Sequence, residues 1–164
     1  MNRRFICLLL VFLVLFSAVG CKKNKDERVW CDIAITLPEE YEEYEATGSF
    51  DLAFRSGRRV VGITRISFDA GINSGIAPTH TAYRFAEEYR DASGYEDREI
   101  TEHGDVPYFT YTLENAVGNE YVYMPTFYRT LYAYVIIMFV CPREEAEEAK
   151  EIFLSYADTV RIVE

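Results

Sequence analysis

His80 and His103 are the only imidazoles in the chain. Histidine titrates nearest neutral pH, and it is the usual general base and the commonest metal ligand. Each of the two stands in a stretch that reads as a loop, with no serine or cysteine beside it in a nucleophile motif. The HExxH, GxSxG and phosphate-binding-loop patterns are all missing. Paired carboxylates are plentiful at Glu39/Glu40, Glu42/Glu43, Glu87/Glu88 and Glu144/Glu145, and that abundance makes each of them undiagnostic. Asp69 with Asn73 lacks the full alternating-acid spacing of a calcium loop. The expectation is no catalytic residue, no metal site and no cofactor.

Four cysteines offer the remaining chemistry, at positions 7, 21, 31 and 141. No CxxC pair exists, so a dithiol redox site or a zinc knuckle is not expected. Cys7 lies inside an unbroken apolar run, residues 5–16 (FICLLLVFLVLF), preceded by Arg3 and Arg4. A basic start, an apolar stretch and then small residues make the layout of a secretory signal. Counted from Phe5 to Gly20 the stretch has sixteen residues, short of the roughly 20 that a spanning helix needs.

Ser17-Ala18-Val19-Gly20 leads directly into Cys21, and this junction resembles the lipobox of bacterial lipoproteins, with Ala18 where leucine is commonest. The resemblance implies that the Cys21 sulfur receives a diacylglyceryl group and that cleavage falls between Gly20 and Cys21. A doubly acylated cysteine holds a protein stably on a membrane. The domain plan read from this is a signal peptide at 1–20, an acylated tether at 21–28 and one folded domain at 29–164. Lys22, Lys23 and Lys25 in the tether face either anionic headgroups or solvent. Export leaves Cys31 and Cys141 as an isolated pair in a compartment where disulfides persist, so a bridge between them is a candidate, with two reduced buried thiols as the alternative.

Charge narrows the partners. The chain carries a net −10, and loss of Arg3 and Arg4 with the signal makes the remainder −12. An acidic domain of that kind has no footprint for nucleic acid, which requires basic surface. The expected partners are the membrane, through the Cys21 lipid, and an envelope protein that the sequence does not name.

The elements that would hold any site follow from periodicity. Residues 31–37 alternate apolar and polar and read as a half-buried strand that Pro38 ends. Phe50, Leu52 and Phe54 alternate again, Ser56-Gly57 turns, and residues 60–68 return as the second arm of a hairpin. Apolar parity in that arm switches between Ile63 and Ile66, which fits either a bulge or cover on both faces. Residues 69–78 read as a glycine-rich loop. Thr79 or Thr81 then caps a helix with Ala82, Phe85, Ala86 and Tyr89 on one face, and Gly94 lies beyond its end. After a short strand near 99–102 come three strands at 106–113, 120–128 and 131–141. Pro125 marks the middle one as an edge strand or a bulged one. Apolar residues occupy both parities of the last strand. Pro142 and a run of glutamates open a final helix, with Ala146, Ala149, Phe153, Tyr156, Ala157 and Val160 as its buried stripe.

Ten aromatic residues fall between Tyr108 and Phe139. Sheet packing accounts for most of them, but tyrosine is also favoured at binding surfaces. Tyr121 and Tyr123, on one face of the expected edge strand, are the candidate contact patch.

The order of these elements, with ITLPEEY entering a hairpin, GDVPYFTYTL before a tyrosine-rich meander and ADTVRIV closing the last helix, resembles the PsbP-like fold group. That group includes a subunit of the oxygen-evolving complex and many small bacterial lipoproteins. The resemblance runs from about Ile33 to Ile162. It implies an α+β fold, an antiparallel β-sheet with helices packed on its faces in an α/β/α-type sandwich, used as a docking module. No binding motif of the group is present to carry over, and fold likeness alone does not establish a function. The expected function is a membrane-anchored, non-catalytic binding or accessory module of the cell envelope. The alternatives are an envelope hydrolase without a recognisable motif and a small-ligand carrier serving a transporter.

Overall fold

A computed structural model describes residues 27–45, 50–73 and 75–163, apart from the side chain of Asn73. In chain order the elements are β1 (Glu27–Trp30), β2 (Ile33–Thr36), β3 (Glu42–Glu43), β4 (Leu52–Ser56), β5 (Arg59–Ser67) and α1 (Phe68–Asn73). There follow α2 (Ala82–Ala92), β6 (Thr101–His103), β7 (Val106–Tyr108), β8 (Tyr111–Glu114), β9 (Glu120–Arg129), β10 (Ala133–Pro142), α3 (Ala146–Ala157) and β11 (Arg161–Ile162). Two antiparallel sheets result. One runs β3-β4-β5-β10-β9-β7-β6 with β8 also on β9, and the other is β1-β2-β11.

Strand β10 is central, and every one of its ten residues is buried. Successive side chains of a strand point to opposite faces, so β10 feeds two cores. Val135, Ile137, Phe139 and Cys141 join one, with Phe153, Leu154, Ile33 and Ile35. Tyr134, Ile136, Met138 and Val140 join the other, with Phe85, Ala86, Phe109 and Phe127. Helix α3 and the small sheet therefore cover one face, and α2 covers the other. This is the α+β sandwich expected from the order of elements.

The parity switch in β5 has the same origin. Val61 and Ile63 face the first core, while Val60 and Ile66 pack on the second. Pairing with β10 is continuous from Val60↔Val140 to Ser67↔Ala133, so β5 is covered on both faces and carries no bulge. Gly62 sits opposite Ala53 and Met138. A Cβ there would fall 2.5 Å from ring atoms of Phe50. The missing side chain is what lets that ring lie on the sheet.

Several expectations are corrected. β9 is neither an edge nor bulged: it pairs in unbroken register with β10, including Pro125↔Met138, and its other side is occupied by β8 and β7. Pro125 is tolerated because it lies between the last rung with β8, Tyr123↔Tyr111, and the rung with β7, Thr126↔Tyr108. The expected strand at 106–113 is accordingly two. Residues 69–78 are not all loop, since α1 occupies their first half. Cys31 does not open a strand. It lies in the two-residue turn between β1 and β2 with φ of 50°, left-handed backbone that costs a non-glycine residue about 1–2 kcal/mol. Strand β1 starts at Glu27, so Glu27 and Arg28, expected in a tether at 21–28, belong to the sheet.

Other readings hold. Thr81 caps α2, its Oγ1 accepting from the Arg84 amide at 3.1 Å. Gly94, with φ of 77°, follows the C-cap Ser93. The acidic pair at the start of the last helix has a further role. Arg58 reaches Glu144 at 2.7 Å and Glu145 at 2.9 Å, and Arg59 reaches Glu145 at 2.8 Å. These contacts tie the β4–β5 turn to the entry of α3.

The two sheets are joined at one end by Asp32. Its carboxylate accepts from the Thr130 hydroxyl in the β9–β10 turn and from Arg65 Nε at 3.1 Å. Thr130 Oγ1 in turn accepts from the amides of Tyr132 (3.3 Å) and Ala133 (3.0 Å). Burial disfavours the charged carboxylate, but the hydrogen bonds from Thr130 and Arg65 outweigh it and hold the Asp32 pKa below its ordinary 3.8.

Two outcomes are expected. Gly62→Ala, which overpacks the Phe50 contact, lowers unfolding stability by about 1–3 kcal/mol in denaturant titration. Because the Asp32 pKa is depressed on folding, its contribution is present above pH 4 and lost as pH falls through the folded value. Stability measured between pH 5 and pH 3 therefore falls more steeply in the native chain than in Asp32→Asn, and parallel acid limbs would exclude this role.

Candidate functional site

The expected site residues do not converge. His80 Nδ1 lies 3.0 Å from the Glu88 carboxylate on α2, and the His80 carbonyl is 2.9 Å from the Tyr134 hydroxyl. His103 Nε2 lies 3.0 Å from Asp158 at the end of α3. Both histidines thus pin a loop or hairpin to a helix. A depression of about 560 Å³ adjoins His103 and Asp158, but its lining contains no serine, threonine or cysteine to complete a nucleophile triad. Among the described residues no group of three or more histidine, cysteine or acidic side chains is placed to hold a metal ion.

The proposed disulfide is absent. Cys31 and Cys141 are both free, Cys31 exposed in its turn and Cys141 buried near the end of β10. The pairing expectation took their two strands as neighbours in one sheet. Cys31 belongs to the β1–β2 hairpin of the small sheet instead, and β10 pairs only with β5 and β9. Burial pushes the Cys141 thiol up to about 11, which leaves it neutral. Cys21 lies outside the described residues.

The aromatic band packs mainly as a layer beneath α2. Tyr123 stacks on Tyr111 at 5.2 Å and Tyr111 on Tyr95 at 4.2 Å. The layer continues through Phe109, Phe127 and Phe85 to Tyr134, with ring spacings of 6.0, 5.7 and 4.4 Å. Burial raises the pKa of Tyr111, Tyr123 and Tyr134, so their hydroxyls stay protonated. Tyr121 and Tyr123 are half-buried and packed against this core. The expected free tyrosine edge is therefore occupied by β8, and both residues pack on their side of the sheet while staying partly exposed.

The opposite face holds what sequence reading missed. Helix α3 covers β10 but leaves the β8–β9 side of the sheet open, and a cleft of about 430 Å³ remains. Val122 stands at its base over the buried Met124, Cys141 and Phe153, while Arg98, Arg143 and Lys150 stand with Glu144, Glu147, Thr110 and Thr112 around it. Arg143 Nη1 donates to Thr112 Oγ1 at 3.0 Å, and Lys150 Nζ lies 5.7 Å from the centre of the Tyr108 ring. One sequence signal pointed here: Lys150 is the single lysine after residue 25. Arg98 comes from the loop after α2 and Arg143 from the turn before α3, and nothing in their local sequence announces that they meet.

No protein-family model matches the chain, and no curated protein matches it. Solved structures do. The cyanobacterial PsbP, CyanoP, of Synechocystis aligns over 87% of this chain and 96% of its own, at 13% identity and a TM-score of 0.50. A crystal structure from Bacteroides thetaiotaomicron aligns over 80% of this chain at 13% identity and a TM-score of 0.54. This chain spans 45% of that one. The architecture is that of an antiparallel α+β sandwich. The chain has the PsbP-like fold.

Thiol chemistry checks the cysteine assignment. Iodoacetamide at pH 8 followed by peptide mass spectrometry should label Cys31 in the native protein and reach Cys141 only after unfolding, since the thiolate is the reacting form. Recovery of a Cys31–Cys141 linked peptide would overturn the free-thiol arrangement.

Proposed function

We propose that the chain is a lipid-anchored protein of the bacterial cell envelope that works as a non-catalytic binding or accessory module. Anchoring is supported by the sequence alone, through the basic start, the apolar run and the small residues before Cys21. Among the described residues no helix is long and apolar enough to cross a membrane. The observation that carries the binding role is the character of the concave sites. One cleft is rimmed by charged and hydroxyl side chains, and the depression at His103 has no serine, threonine or cysteine in its lining. Histidine–carboxylate pairs that fasten elements together do the work of positioning, and they leave the surface to act by contact. The PsbP-like fold supports the same reading by analogy, as a scaffold with which accessory roles are associated. The partner in this reading is an envelope protein or a small ligand presented close to the bilayer.

Tether length sets the geometry. Residues 21–26 reach at most about 22 Å when extended, so the domain stays near the headgroups of the membrane it is fixed to. Fractionation tests the anchor. Cys21→Ser should leave the membrane fraction or accumulate as the unprocessed, larger form. A mutant of normal size that still sediments with membranes would remove the lipid from the reading and leave the apolar run as the anchor.

A further inference from the structure

Two adjacent apolar residues stand in water at one end of the molecule. Leu131 and Tyr132, in the β9–β10 turn, are 58% and 69% exposed. Hairpin tips ordinarily carry glycine, asparagine, aspartate or serine, as Gly57-Arg58 and Gly104-Asp105 do here. Ile72, also exposed, lies on α1, whose first residue, Phe68, donates its amide to the Tyr132 carbonyl at 3.1 Å. The turn keeps its own backbone bonded. Thr130 Oγ1 accepts from the amides of Tyr132 and Ala133, and the Thr130 amide donates to the Ala133 carbonyl at 2.9 Å. Three amides and two carbonyls of the turn are thus satisfied within the protein, and unsatisfied backbone is what keeps loops out of lipid.

Charge at this end suits a phospholipid surface. Arg129 is exposed, and its guanidinium contacts, the Pro78 carbonyl at 3.0 Å and the Phe68 ring at 5.3 Å, carry no counter-charge. Asp32 is answered by Arg65, and Asp69, exposed in the first turn of α1, opposes. The turn at the other end of β9 is different. Val117 is 79% exposed there, but Glu114 and Glu120 face each other at its base. Tether length allows contact at the Thr130 end. Strand β1 runs from Glu27 to the turn in which Asp32 bonds Thr130. Its four residues span about 13 Å, within the roughly 22 Å that residues 21–26 reach.

We propose that the β9–β10 turn is a membrane-contacting tip. Leu131 and Tyr132 enter the boundary between headgroups and acyl chains of a phospholipid bilayer, and Arg129 stands at the phosphates. Tyrosine is favoured at that depth, because its ring is apolar and its hydroxyl stays wet. An acidic domain then touches the surface only where it presents a cation and apolar side chains. The inference rests on the reading of the chain as membrane-anchored, and names the surface that the anchored domain turns to the lipid.

Fluorescence quenching tests it. The full chain, extracted from its membrane, is reconstituted in vesicles of phosphatidylcholine and phosphatidylglycerol, with and without bromine on the upper acyl chain. Tyr132→Trp places an indole at the tip, and Val117→Trp places one at the opposite end of β9. The parent, whose Trp30 packs on the first core, gives the background. Interfacial elements sink about 5–10 Å, so bromine should quench roughly half or more of the emission that Tyr132→Trp adds, and little of that added by Val117→Trp. Leu131→Asp in the Tyr132→Trp chain should abolish the quenching with circular dichroism unchanged, and Arg129→Gln should reduce it. No quenching at the tip, equal quenching at the two ends, or a folded Leu131→Asp chain quenched as before would each overturn the assignment. A chain unquenched at the tip that still needs Cys21 for its membrane fraction loses the tip alone. One quenched at the tip whose membrane fraction ignores Cys21→Ser loses the lipid alone.

Discussion

Burial of β10 on both faces is the constraint from which the rest of the architecture follows. A strand with ten consecutive buried residues cannot stand with one face in water. Each large apolar side chain in it contributes about 1.5–3 kcal/mol only if something covers it. Helix α2 answers on one face through Phe85 and Ala86, and α3 with the small sheet answers on the other through Phe153, Leu154, Ile33 and Ile35. The flanking strands β5 and β9 protect the backbone edges of β10 along nearly its whole length. Covering one strand so completely uses up the helices, and the β8–β9 side of the sheet is left with only the start of α3 over it.

Much of this was legible in the sequence because the signals are local. Alternation in β2 and β4, the double parity of β10, the Thr81 cap and the stripe on α3 depend on neighbours within a few residues. The failures have a common cause, which is information held elsewhere in the chain. Pro125 looked like an edge signal until β7 and β8 divided the neighbouring edge between them. Cys31 and Cys141 read as partners only if their strands are adjacent, whereas the hairpin turn that carries Cys31 belongs to a separate sheet. Residues 69–78 carry glycines that read as loop, yet Phe68 and Ile76 pack against the second core, which steadies a short helix there. The cleft was illegible for the same reason: Arg98, Arg143 and Lys150 are brought to one rim only by tertiary structure.

The aromatic wealth of the chain and its acidity divide the surface between them. The larger share of the tyrosines and phenylalanines lies on the α2 side, stacked ring on ring, with hydroxyls such as that of Tyr134 turned to backbone carbonyls at 2.7 and 2.9 Å. Acidic residues are spent outside, where they lock arginines and helix ends. A protein with this distribution offers a neutral interior and a predominantly acidic exterior.

Strand β1 has a mechanical consequence. It is an edge strand whose only strand neighbour is β2, its four residues are half-buried or exposed, and its first residue, Glu27, is paired across to Arg161. Any pull on the residues before Glu27 loads the Glu27↔Thr36 rung first, at the open end of the hairpin. The ladder then yields one rung at a time, until the load meets the Asp32 junction with Thr130 and Arg65. Release of Glu27, Arg28 and Val29 adds up to about 11 Å of slack before Trp30, which packs on the first core, is reached. The strand works as a fuse, giving way under tension before the body of the protein feels it.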